Sequence, residues 1–128
     1  MKKIIYTPDA PSPIGPYSQA VEANGMLFVS GQIALDPLSG ELIQDDIETE
    51  TRQVFSNLKA ILEARGLTFD HVVKSTVFVA DMNQFARINA VYAEYFSGEE
   101  TPARETVQAA ALPKFVNIEI SVIAVIGQ

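Results

Sequence analysis

The alternation of apolar and polar side chains divides the chain into short extended runs and two helical stretches. Ala20-Val21 and Met26-Leu27-Phe28-Val29 flank Asn24-Gly25. That dipeptide suits a two-residue turn, because both positions need left-handed backbone, and it predicts a β-hairpin. A second turn is expected at Asp36-Pro37-Leu38-Ser39-Gly40. Ile47, Val54, Phe55, Leu58, Ile61 and Leu62 recur at the spacing of one helical face. Asp45 and Glu48 read as the capping pair of that helix and Gly66 as its stop. Val72–Val79 is rich in β-branched residues and reads as a strand. Asp81 with Gln84 is expected to start a second helix, striped by Phe85, Ile88, Val91, Tyr92, Tyr95 and Phe96 and stopped by Gly98. Strands follow over residues 103–110 and 117–126.

Strands, helix, strand, helix and two strands make an α+β fold, a single domain over 1–128 with a mixed sheet and both helices on one face. The last strand adds a constraint. Ile118, Ile120, Val122 and Ala124 lie on one of its faces, but Ile123 and Val125 lie on the other. Two helices cover only one face of such a sheet. Either the strand is central and capped by loops, or its second face is buried against partner subunits, and the second reading is favoured.

Composition narrows the function classes. Hydrophobic types make up 48% and charged types 20% of 128 residues, enough for one real core. Sixteen acidic against nine basic residues give a formal charge of −7, which argues against a general nucleic-acid binder. With no cysteine there is no disulfide, thiol nucleophile or Cys-based metal site, and the single histidine, His71, sits among polar residues and reads as solvated. No metal is therefore expected. No serine has a credible triad partner, and no glycine run resembles a phosphate cradle. Neither a signal peptide nor a membrane span is legible, so a soluble, cytoplasmic protein is expected. The acidic run from Glu41 to Glu50 reads as a solvated start of the first helix.

Several side chains carry two readings each. Arg104, after Thr101-Pro102-Ala103, is either a surface arginine paired with Glu99, Glu100 or Glu105, or a two-pronged grip on a carboxylate or phosphate. Glu119 lies in the most apolar strand, as half of a core ion pair or as a general acid/base or water-orienting group. Asn89 interrupts the second helix's apolar stripe and either bonds backbone and water or serves a site. Ser30-Gly31-Gln32 marks either a β-bulge or a close approach of a ligand to Gly31. Tyr17, beside the proline-rich stretch Pro8 to Pro16, is a packing residue or a pocket wall.

Four segments together carry a resemblance. Ile14-Gly15-Pro16-Tyr17-Ser18-Gln19, Val29-Ser30-Gly31-Gln32-Ile33, Pro102-Ala103-Arg104 and Asn117-Ile118-Glu119-Ile120 occur in the order and spacing of the reactive intermediate deaminase (RidA, YjgF-like) family. The likeness spans essentially the whole chain, including Thr76-Val77-Phe78-Val79 and Asn89-Ala90-Val91-Tyr92. It implies a chorismate-mutase-like fold assembled as a homotrimer with ligand clefts between subunits. It also implies hydrolysis of 2-imino acids such as 2-iminobutanoate and 2-iminopropanoate to 2-oxo acids and ammonia, with no cofactor. By position, Arg104 matches the arginine that holds the substrate carboxylate, and Glu119 the glutamate associated with the water. Tyr17, Ser30 and Asn89 match cleft residues. Thr106 stands where many members have a cysteine, and Glu105 replaces a commoner small residue. The alternatives are a non-enzymatic trimeric module for small carboxylates and, opposed by the negative charge, a ribonuclease.

Overall fold

The predicted hairpin forms at the predicted place. β2 (Ala20–Ala23) and β3 (Met26–Gln32) pair antiparallel through Asn24 and Gly25, whose φ angles of 57° and 75° are the left-handed pair the turn needs. The structure is a computed structural model and describes residues 1–127. A further strand, β1 (Lys3–Ile5), pairs antiparallel with β2. Three residues are too few to show an alternation, so it was not legible in the sequence.

Helix α1 (Ile47–Ala64) begins one residue later than the capping pair Asp45/Glu48 would place it. Asp46 is the cap, its carboxylate accepting from the Thr49 N–H at 2.7 Å. Glu48 then lies one position short of the capping site and turns outward to grip Arg87 through two bonds of 2.7 and 2.8 Å. Gly66, at φ 75°, ends the helix as expected. Asp81 caps a short 3₁₀ turn that runs into α2 (Phe85–Tyr95). The remaining strands are β4 (Val72–Val79), β5 (Ala103–Gln108) and β6 (Ile118–Val125), the last two shorter at their ends than predicted.

All six strands form one mixed sheet in the order β1-β2-β3-β6-β4-β5. Only β4 and β5 run parallel, joined by α2, and β6 lies between β3 and β4, antiparallel to both. The core lies between one sheet face and the helices. Ile118, Ile120, Val122 and Ala124 are buried there with Leu27, Val77 and Val79, against Val54, Phe55, Leu58 and Ile61. The Phe55 ring stacks on Tyr95 at 4.2 Å and meets Tyr92 and Phe96 edge-on.

The second face carries no helix, and among the described residues no loop buries it. Glu119, Ser121, Ile123 and Val125 are only half-buried there. Register places Ile4, Val21, Phe28 and Ile123 side by side across four strands, and Ile4 and Phe28 remain 53% and 43% exposed. Capping by loops is thus not how this chain handles its two-faced last strand.

Candidate active site

Arg104 opens edge strand β5, opposite Ser75 of β4. Ser75 is wholly buried under the helices, so Arg104 leans toward α2. There its Nη1 donates to Asn89 Oδ1 at 2.7 Å, and its guanidinium carbon lies 4.6 Å from the Tyr92 ring centre and 5.4 Å from that of Phe85. The Tyr92 hydroxyl is tied to Ser75 Oγ at 2.6 Å, which holds the ring beneath the arginine. None of the ion pairs among the described residues includes Arg104; Glu105, its neighbour, pairs with Lys74 at 2.6 Å on the other side of the sheet. The surface ion-pair reading therefore fails. Among the described residues of this acid-rich chain five cations have carboxylate partners, and Arg104 has an amide and two rings instead. It lines an open cleft of about 390 Å³ with Asn89, Tyr92, Phe96, Thr101 and Pro102.

Glu119 belongs to a different place. The β3–β6 register slips between Val29 and Gln32, and at that irregularity Gly31 faces Glu119. A Cβ built on Gly31 would lie 2.6 Å from Glu119 Oε2. Both readings of Ser30-Gly31-Gln32 are thus half right: the strand is bulged, and what approaches the missing side chain is the protein's own carboxyl. Among the described residues Glu119 has no ion-pair partner, so the core ion-pair reading fails as well. Burial pushes its carboxyl up from the ordinary value. Gly31 lines a cavity of about 260 Å³ with Tyr17, Ile14, Ile33, Pro113 and Lys114. Tyr17 forms part of its wall and is 54% exposed. Lys114 and Phe115 both adopt φ 55°, the left-handed region that non-glycine residues seldom occupy.

Within one chain Arg104 and Glu119 do not meet. Arg104 is level with Ser75 and Glu119 with Phe78, three residues apart on β4, and a strand's period of two puts them on opposite faces. Thr106, level with Val77, shares Arg104's face, while Glu105 is turned away. β5 is the sheet's edge, so alternate peptide groups along it have no strand partner. Ser30 is spent locally: its Oγ donates to the Ser18 carbonyl at 2.6 Å and its N–H to that of Gln19 at 2.9 Å, holding the proline-rich loop on β3. His71 is half-buried and tied into its own turn, Nδ1 accepting from the Thr68 N–H at 3.1 Å. Among the described residues no three His, Cys, Asp or Glu gather as a metal site would require.

The reading of the acidic run needs one correction. Glu50 is not solvated: it is completely buried. Its Oε2 accepts from the Asn117 N–H at 2.9 Å and its Oε1 from Asn117 Nδ2 at 2.8 Å. Asn57, also buried, donates to the carbonyls of Ile33 and Leu35, both at 3.0 Å. The signal was present in the sequence, since Glu50 and Asn57 fall at helical spacing between Ile47, Val54 and Ile61, on the apolar face.

A family model described as Endoribonuclease L-PSP matches residues 7–126. A RutC family protein of Pyrococcus horikoshii is 56% identical over 124 residues, covering 97% of this chain and 98% of its own. The mouse protein named 2-iminobutanoate/2-iminopropanoate deaminase is 47% identical over 127 residues, covering 99% of this chain and 93% of its own. Among solved structures, a putative endoribonuclease of Thermotoga maritima superposes with a TM-score of 0.95 at 53% identity, covering 100% of both chains. No helix among the described residues is long and apolar enough to cross a membrane.

Proposed function

Because this chain belongs to the L-PSP family, which is the RidA or YjgF-like family, we propose that it hydrolyses 2-imino acids to 2-oxo acids and ammonia. The carrying observation is Arg104, a guanidinium with no carboxylate partner among the described residues, held over an aromatic ring in an open cleft. Its bond to Asn89 occupies one nitrogen and leaves further N–H donors for a planar carboxylate. The mouse relative's name supplies the substrate class.

Arg104 and Glu119 occupy opposite faces, so a site using both takes one from each of two adjoining copies. The uncovered apolar stripe from Ile4 to Ile123 supports such an assembly, and a trimer is the form the family resemblance implies. In that cleft Arg104 binds the substrate carboxylate and so fixes the depth of the imine carbon. The protonated imine is electrophilic without further help. Glu119, as carboxylate, orients a water and takes its proton as the oxygen bonds to carbon; its raised affinity for protons suits that task. The carbinolamine then collapses: Glu119 returns its proton to the nitrogen, the C–N bond breaks, and the departing ammonia takes the hydroxyl proton to leave as ammonium while the oxygen becomes the keto group. Alternate carbonyls of edge strand β5 near Thr106 hold the imine N–H, a contact that needs no cysteine. Tyr17 and the apolar wall around Ile33 receive the substrate side chain.

The test is a coupled assay in which a threonine dehydratase releases 2-iminobutanoate and the appearance of 2-oxobutanoate is timed. Faster release with this protein present, lost in Arg104→Ala, is the expected result. Binding of 2-oxobutanoate without any acceleration would instead make the protein a carboxylate-binding module.

A further inference from the structure

Helix α1 contributes no residue to the 260 Å³ cavity, yet its buried Asn57 ends on the carbonyls of two wall residues and its buried Glu50 on Asn117, three residues past the wall residue Lys114. Glu50 and Asn57 lie seven residues apart, two turns along one face of α1. Asn57 bonds the carbonyls of Ile33 and Leu35, on the wall that follows Gly31. Glu50 bonds both donors of Asn117, which lies between the left-handed Lys114-Phe115 turn and Glu119. The Asn117 carbonyl in turn accepts from the Ala80 N–H at 2.9 Å, at the end of β4. The facing segments whose gap holds the Glu119 carboxyl against Gly31 are therefore both clamped to the same helix.

We propose that Glu50 is a positioning residue for imine hydrolysis, setting the place of Glu119 by fixing Asn117 two residues before it. This rests on the reading of Glu119 given above and extends it to a side chain that touches no substrate. A buried carboxylate is costly unless every acceptor is used, and here each oxygen receives one donor from the same residue. Such a two-point grip fixes both the position and the rotation of the peptide that opens β6. What matters is the pair of bonds and not the charge. Gln in place of Glu50 still accepts the Asn117 N–H, and the Asn117 amide can turn its oxygen to meet the new N–H donor.

The experiment is a cycle of Glu50→Gln and Glu50→Met, each in wild-type and Glu119→Gln backgrounds, read by kcat, KM, thermal unfolding and particle mass. Glu50→Gln should keep the wild-type kcat. Glu50→Met keeps the volume, removes both bonds and should lower kcat about tenfold to a hundredfold with KM little changed, as a misplacement near 1 Å does. In the Glu119→Gln background Glu50→Met should lower kcat no further. An equal drop in both backgrounds, no drop at all, or loss of kcat in Glu50→Gln would each overturn the proposal. Should Glu50→Met fail to fold, Asn117→Ser removes one of the two bonds at a half-buried site and should show the same pattern at smaller amplitude; no effect there counts against it equally. If the wild-type protein accelerates no imine hydrolysis, the proposed function has failed on its own. Glu50 is then judged by the NMR titration midpoint of Glu119 compared between Glu50→Met and Glu50→Gln, which lose the same charge and differ in the bonds to Asn117; different midpoints are expected, and equal ones overturn the positioning role.

Discussion

Substituting Gly31 by Ala tests the placement of Glu119 with one methyl group. Gly31 is exposed and its φ lies outside the left-handed range, so the backbone accepts alanine and no core has to repack. The added Cβ would lie 2.6 Å from Glu119 Oε2, 2.8 Å from its Cδ and 3.0 Å from its Cγ. Ordinary contacts between such atoms are about 3.5 Å, so the carboxyl has to retreat by roughly 1 Å. A catalytic group misplaced by that much typically costs about 100-fold in rate, whereas Gly-to-Ala itself alters stability by only about 0.4–1 kcal/mol through the unfolded chain. The expected variant is folded, with a melting temperature within a few degrees of wild type and kcat lowered ten- to a hundredfold. Its KM should be near normal, because the substitution leaves the proposed carboxylate anchor, Arg104, untouched. Single-turnover conversion of 2-iminobutanoate, with thermal unfolding on the same preparation, reads both quantities. A folded Gly31→Ala protein with wild-type kcat would refute the idea that the carboxyl must rest where Gly31 leaves room for it.

Arg104→Lys should lower kcat/KM at least tenfold, because an ammonium reproduces neither the two-pronged grip nor the stacking on Tyr92; a wild-type value in the coupled assay would place the carboxylate anchor elsewhere. Glu119 has a raised folded-state pKa, so its contribution to stability is fully present below the unfolded value of about 4.3 and is lost as pH rises through the folded value. Melting curves of wild type and Glu119→Gln should therefore coincide in acid and separate in the variant's favour toward neutral pH. The acid limb of kcat/KM should fall at a midpoint above the ordinary glutamate value, and an unshifted limb would count against Glu119 as the titrating group. Light scattering should read three chain masses for the wild type, and Ile123→Lys, a charge in the middle of the open sheet face, should give smaller particles; a wild-type monomer at micromolar concentration would remove the shared cleft.

Much of this architecture follows from patterns a linear chain can display. The Asn24-Gly25 turn, the apolar face of α1, the strand Val72–Val79 and the stop at Gly66 each depend on neighbours within a few residues. The two-faced apolarity of β6 likewise announced a sheet with one face left over. The cap of α1 slipped by one residue because Asp45 and Asp46 are chemically alike, and only the phase of the folded helix selects between them. Contacts across the fold were beyond any local pattern. Arg104 has acidic neighbours on either side in sequence, yet strand alternation and the depth of α2 give it Asn89 and Tyr92 instead. Glu119 stands against Gly31 only because β3 bulges beside β6, 88 residues along the chain. Glu50 looked like one more solvated acid in an acidic run, although its helical phase was already that of Ile47 and Val54; its burial is tolerable only because Asn117 arrives from the far end of the chain to satisfy both its oxygens. Residue types and their periods thus chose the elements and the candidate chemistry. Which candidates share a face, and which are held apart by the sheet, is set by strand order and register, quantities that exist only once distant segments have paired.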